Sequence, residues 1–414
     1  MKVIDDMKKD MSLSFRINYG SVFVLYVALT MAVYILPSLK ISVPYIYSAL
    51  LMIAFLPIAM LKMQSNMGYY ILVVGTAFLT AFFYFVNGIY GTTDTINEVI
   101  RSVRFFLPLI WALYTFQFCS PKQRHKMLVF FAFLLLFVLF KTIVALEKDV
   151  WIARILAQDK SMDTAEIRAY RMGNVGGFEF SYMVGIVVIC LTWAALKCRN
   201  VRVKILCIVG TVVCFYYIIQ TMYMTLLILT SVGMLLLFVI DAERLTTKFL
   251  FVLGGVVLAF SLAPLFKYLS GLFDGSLLST KCMQIYTALT GGGADSLGSR
   301  PELIREAVAR WLKSPIWGGY ETSDRTHSTV FSLLEATGMI GLFSFLGCLF
   351  GSYKMISTEL KKNGIDTLLI SIVFMYILAL ATLNPVGYVF EVTIAAFFIA
   401  PLWSELVTGY NDSQ

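Results

Sequence analysis

Long apolar stretches follow one another along this chain, separated by short polar breaks, from residue 19 to residue 403. The hydrocarbon core of a bilayer is about 30 Å thick and a helix rises about 1.5 Å per residue, so stretches of this length predict helices that cross it. Twelve spans are predicted, at 19–37, 43–61, 68–87, 99–119, 127–146, 180–196, 205–220, 222–240, 249–269, 329–350, 366–383 and 386–403. Between the seventh and eighth the polar break, Gln220 to Thr225, is so short that a single long helix or a re-entrant segment is the alternative. Two connections break the pattern, 147–179 and 270–328, each far longer than a link between neighbouring helices requires.

Composition agrees with the pattern. Of 414 residues, 59% are hydrophobic and only 14% charged, more apolar surface than a soluble domain covers. The expected architecture is all-α and polytopic, with residues 1–414 as a single integral membrane domain. Basic residues gather at Lys2/Lys8/Lys9/Arg16, Lys122/Arg124/Lys126, Lys197/Arg199/Arg202/Lys204, Arg244/Lys248 and Lys354/Lys361/Lys362, always on one side of the predicted spans. Lysine and arginine are retained in the cytoplasm, so both termini are expected there and the two long loops outside. The outer short loops hold almost no basic residue beyond Lys40. No small-residue cleavage pattern follows the basic leader, so the first span reads as a retained anchor. The net charge of +8 belongs to the inner clusters and lipid headgroups and does not call for nucleic acid. Six of the seven cysteines fall in spans or at their inner ends, and Cys282 alone lies in an outer loop, so no disulfide framework is expected.

The charges of each long loop nearly cancel, which directs attention to particular arginines. In 163–171, a predicted short helix, Arg168 and Arg171 stand three apart with no acid at helical spacing from either. A second helix is predicted at 300–313, where Arg305 has Glu302 and Arg310 has Glu306 as solvated partners. Arg300 has no such partner, and it stands in the first turn behind a capping box from Ser299 to Glu302, where the helix dipole disfavours a cation. An anion would relieve all three arginines; a tertiary salt bridge or a phospholipid headgroup is the plainer account. Charges inside spans cluster near the same outer surface: Arg101, Arg104, Lys141, Glu335 and Glu391, with snorkelling the simpler reading of Lys141. His327 stands two residues before the tenth span, and an imidazole there is either a plain loop residue or a base that accepts a proton near neutrality. His125 belongs to the inner basic cluster. Gly291–Gly293 lacks a Walker lysine, and neither paired metal ligands nor an outer D-x-D appears, so ATP, nucleotide sugars and a bound metal are not expected.

Taken together, Ser299-Arg300, Ser314-Pro315-Ile316-Trp317-Gly318-Gly319-Tyr320, His327-Ser328 and Leu334-Glu335-Ala336-Thr337-Gly338-Met339-Ile340-Gly341 resemble the bacterial O-antigen ligase and repeat-unit polymerase superfamily, the Wzy-like polymerases included. Arg171-Met172-Gly173-Asn174 with Phe178-Glu179-Phe180 is similar to that family's other arginine segment. Three departures stand out: Ser299 replaces a glycine, Ser328 an asparagine, and no Ser-Arg lies near Thr221. The resemblance implies a GT-C-type glycosyltransferase of the bacterial plasma membrane that needs neither metal nor cofactor and takes glycan from undecaprenyl diphosphate to an acceptor hydroxyl. His327, Arg300 and Arg171 would be catalytic; Arg168, Arg101, Arg104, Glu335 and Tyr320 would contact substrate. Trp311, Trp317 and Tyr170 are further stacking candidates. The donor lipid, membrane lipid, a chain-length regulator and a flippase are the expected partners. Polymerisation of lipid-linked repeat units is the preferred expectation, ligation to a lipid or protein acceptor the near alternative. A glycolipid transporter is the alternative from another class, and it would ask for inverted repeats and mid-membrane charges that the sequence does not display.

Overall fold

The computed structural model describes residues 19–42, 68, 71–79, 82, 106–149, 151–158, 165–275, 277–290, 300–319, 328–384 and 389–412. Within these the chain is helical, which satisfies each backbone group inside its own segment, as a span in hydrocarbon needs. The helices are α1 (Tyr19–Ile35), α2 (Pro37–Ser42), α3 (Leu107–Phe118), α4 (Pro121–Lys148), α5 (Ile152–Gln158), α6 (Ala165–Met172), α7 (Phe178–Lys197) and α8 (Val201–Thr221). They continue as α9 (Met224–Asp241), α10 (Leu245–Leu272), α11 (Leu277–Leu289), α12 (Arg300–Trp311), α13 (Thr329–Lys362), α14 (Leu368–Leu383), α15 (Phe390–Thr393) and α16 (Ala400–Asp412), with a π-helical turn at Ile394–Ile399 joining the last two.

Among the described residues six helices are long and apolar enough to cross a membrane, or seven if the two halves of α10 count as one span. Those halves, Leu245–Val257 and Phe260–Leu272, meet at 45°. Pro264 lies in the second half and has no N–H to give the carbonyl of Phe260, the first residue after the bend. Helices α1, α3 and α14 are apolar but shorter. The expected second span, 43–61, lies outside the described residues, as do nine of the twenty residues of 68–87 and the first part of 99–119.

Local chemistry sets the boundaries. Ser120 and Gln123 form a reciprocal capping box ahead of α4, with Pro121 in its first turn. Asn200 caps α8 by accepting from the amides of Arg202 and Val203. The short break after Gln220 is a true turn and not one continuous helix: Met222 adopts φ 57°, which ends α8, and α9 starts at Met224.

Helix α7 is the axle of the bundle. Every residue from Phe180 to Cys190 is buried, and α8, α9, α14, α15 and α16 all pack against it. The π-helical turn is equally enclosed, with Phe390 and Phe398 set edge-on to Trp111 at 5.6 and 5.7 Å between centroids. Toward the periphery, Phe133 and Phe140 of α4, Leu206 of α8 and Phe249 and Phe260 of α10 stand exposed on faces suited to hydrocarbon. Contacts of Lys40, Thr142, Gln220, Tyr223 and Asn384 bring the starts of α7, α9, α13 and α15 and the ends of α1, α4, α8 and α14 to one end of the bundle. The first long connection both leaves and returns at this loop end, and the second returns to it at the start of α13.

Candidate functional site

The first turn of α7, Phe178 to Tyr182, is the centre of the loop end. Lys40 of α2 bridges two carboxylates, with Nζ 2.5 Å from Glu179 Oε2 and 2.6 Å from Glu391 Oε1. Glu179 also lies where the α7 dipole favours an anion. One turn on, the Tyr182 hydroxyl accepts from Asn384 Nδ2 at 2.8 Å. The Asn384 carbonyl accepts both the amide and the hydroxyl of Thr329, at 3.1 and 2.9 Å. Ser328 caps α13 by accepting from Phe331 N, and its hydroxyl donates to Ala381 O at 3.4 Å. A continuous set of contacts therefore runs from the start of α13 through α14 to α7, and on through Lys40 to α2 and α15.

Helix α6 joins the same assembly through its C-terminus. Gly173 and Met172 are followed by Asn174 at φ 60°, Asn174 N donates to Arg171 O, and Val175 N donates to Tyr170 O. This is the Schellman arrangement, with asparagine in the left-handed position that glycine usually fills. The Asn174 side chain explains the choice, because its Oδ1 accepts from Ser38 N at 3.1 Å and from Ser38 Oγ at 2.7 Å. Gly176 N then donates to the buried Thr142 hydroxyl at 2.7 Å, fixing the entry into α7. Arg171 thus sits in the last turn of a helix whose C-terminal end is tied to both α2 and α4.

The second long connection docks by an exchange of backbone hydrogen bonds. Helix α13 is broken at Gly338, which adopts φ 62° and ψ −161°. The turn after α12 fills the break: Gly319 N donates to Glu335 O at 2.7 Å, while Met339 N and Ile340 N donate to Pro315 O at 3.0 Å and Ile316 O at 3.4 Å. Met339 would ordinarily donate to Glu335 and Ile340 to Ala336, so the turn supplies partners to groups that the break releases. Gly318, at φ 82°, faces the backbone of Ala336 so closely that a Cβ would lie 2.5 Å from it. Trp311 Nε1 also donates to Pro315 O, at 3.0 Å.

Arg310 corrects the sequence expectation of a purely solvated pair with Glu306. Glu306 does lie 3.5 Å away, but the shorter contact, 2.5 Å from Nε, is to Glu335 Oε1 inside α13. Burial alone would lower the Arg310 pKa, yet the hydrogen bond and charge of Glu335 outweigh it and the net shift is upward. Both span carboxylates, Glu335 and Glu391, are thereby paired with cations from loop-end segments. Lys141 rests over the Phe137 ring, 6.0 Å from its centroid.

The structure places the remaining expected residues unequally. Arg168 is exposed and Arg171 half-buried, and each has an interaction with another group of the protein, so the helical spacing that left them without an acid does not describe their tertiary surroundings. Arg300 opens α12, with its side chain outside the described residues. Ser299, Arg101, Arg104, Tyr320 and His327 also lie outside them, although Ser328, the next residue after His327, stands at the loop end. Tyr170 is half-buried and Trp317 exposed. Cys282 is buried in α11, and burial pushes its thiol pKa up, which suits an inert role. Among the described residues no three His, Cys, Asp or Glu side chains gather as a metal set.

Lys40 and Asn384 are site residues that local sequence reading does not single out, and Asn174 stands in a quoted segment without its tie to Ser38 being legible there. Lys40 has one signal, its solitude in the outer short loops, but its partners lie 139 and 351 positions away. No protein family and no curated protein matches the chain.

Proposed function

We propose that this chain is a GT-C-type glycosyltransferase with twelve spans and cytoplasmic termini, in a bacterial plasma membrane, that polymerises lipid-linked oligosaccharide repeat units at the outer face. The observation that carries the reading is convergence: the end of the Arg171 helix and the start of α13, next in chain to His327, both fasten to the elements around the first turn of α7. Two loops far apart in sequence would thus contribute to one site beside the lipid phase.

The chemistry asks for little else. His327 would take the proton of the acceptor hydroxyl, the freed oxygen would attack the anomeric carbon of the donor, and the bond from that carbon to undecaprenyl diphosphate would break with the electron pair leaving on phosphate. Attack opposite the leaving group inverts the anomeric centre. Arg171 and Arg300 would stabilise the departing diphosphate; a guanidinium has five donors, so an existing partner does not prevent Arg171 from serving. Each charge-assisted contact contributes roughly 1.5–3 kcal/mol. Arg168, Arg101 and Arg104 would supply further positive charge, and Tyr320 a face for sugar stacking.

The test is purified protein with a synthetic prenyl-diphosphate repeat unit. Chain growth without ATP or divalent metal is the expected result. Transfer only to a lipid or protein acceptor would point to ligation, and transbilayer movement without new glycosidic bonds would replace the enzyme with a transporter.

A further inference from the structure

How α12 is held to α13 bears on Arg300, and its consequence for catalysis rests on the diphosphate-binding role proposed for that residue. Glu335 grips the α12 unit twice. Its carboxylate takes Arg310 Nε at 2.5 Å, and its backbone carbonyl takes Gly319 N at 2.7 Å from the turn that succeeds the helix. The side chain of Glu335 is 1% exposed, which leaves no surface for a sugar in this arrangement.

We propose that Glu335 and Arg310 are positioning residues, whose ion pair fixes the tilt of α12 on the broken span α13 and so sets where Arg300 meets the donor diphosphate. Leverage gives the pair its importance. Arg300 lies ten residues from Arg310, about 15 Å along the helix axis, so a tilt of about 5° at the pair moves the first turn by about 1.3 Å. Displacements near 1 Å at a reacting centre cost on the order of 10²-fold in rate. A buried ion pair adds little net stability compared with an apolar replacement of both partners, so fixing one geometry is the better account of its presence here. The broken span adds a second constraint: with Gly318 and Gly338 backbone-to-backbone, the turn anchors the C-terminal end of α12, and the ion pair adds a side-chain contact from the helix's last turn that fixes its direction at that anchor.

The test compares the full chain in lipid nanodiscs with Arg310→Met/Glu335→Met, which replaces both partners by apolar side chains, and with Arg310→Lys. Hydrogen exchange of the 301–311 amides is read alongside the thermal midpoint and the rate and KM of chain growth on a synthetic lipid-linked repeat. For the double variant the expected result is a near-normal midpoint, α12 exchange faster by about tenfold with α7 unchanged, and kcat lowered by about 10–100-fold with a smaller change in KM. Arg310→Lys should recover part of the rate, and it carries the test by itself if the double variant does not accumulate. Unchanged α12 exchange, or a loss of stability with kcat preserved in the folded fraction, overturns the proposal. Faster α12 exchange in a protein whose wild type extends no chain would leave the clamp standing and remove the transferase reading instead.

Discussion

Gly338 faces Ile316 backbone to backbone: a Cβ on Gly338 would lie 2.3 Å from the Ile316 carbonyl oxygen, and Gly338 itself holds φ +62°. That contact lets a turn from the long second loop enter a membrane helix. Gly338→Ala and Gly318→Ala each combine left-handed strain with overlap against backbone that has nowhere to move, so each should cost at least about 2–4 kcal/mol. Gly347, on the same helix with nothing within 4 Å, is the control, and Gly347→Ala should be neutral or stabilising. Thermal unfolding in detergent separates the three; equal midpoints would refute the clash.

Lys40 neutralises two carboxylates, one of them, Glu391, 7% exposed. Lys40→Met leaves that buried charge without its ammonium and should destabilise by about 3 kcal/mol. Lys40→Met/Glu391→Gln should regain at least half of the loss. If the double variant unfolds no later than the single one, the pair does not account for the effect.

Asn174 has two separable duties, a left-handed backbone and a side-chain tie to Ser38. Asn174→Gly keeps the first and should cost about 1 kcal/mol for the lost hydrogen bonds. Asn174→Ala loses both and should cost about 1 kcal/mol more. Since the tie holds the end of the Arg171 helix, both should also slow chain growth, and Ser38→Ala should match Asn174→Gly in rate.

For the proposed chemistry, His327→Ala, Arg300→Ala and Arg171→Ala should each abolish product while the protein remains inserted and folded. Near-normal polymer from all three, measured on the same lipid-linked repeat, removes the site. In cells, deletion of the gene should leave single repeats; complete polymer stranded on the carrier lipid would mean ligation.

Cys282 offers a check on α11. Burial raises its thiol pKa, so at neutral pH its thiolate fraction is below that of an ordinary cysteine, and the fraction grows only as pH rises through the elevated value. Alkylation at pH 7.5 should be at least about tenfold slower than for a free thiol, and should recover on denaturation. Immediate labelling of the native protein would contradict the buried placement.

Hydropathy alone places α4, α7, α8, α9 and α13 to within a few residues at most boundaries, apart from α4 and α13, which run further at their polar ends, because the cost of exposing polar backbone to hydrocarbon acts on each segment by itself. Short helices around Arg171 and after Arg300 are likewise legible from spacing and capping residues. The motif Pro315-Ile316-Trp317-Gly318-Gly319 with Glu335 and Gly338 stands out in the sequence, but its reason does not: two left-handed glycines and an exchange of backbone hydrogen bonds appear only when the turn meets the break in α13. Partner choice is the part beyond local reading. Arg310 has Glu306 one helical turn away and prefers Glu335, and Lys40 finds Glu179 and Glu391 across the bundle. Helical spacing governs contacts within one element, whereas the pairing of charges at the end of a bundle depends on which helix termini the packing brings together.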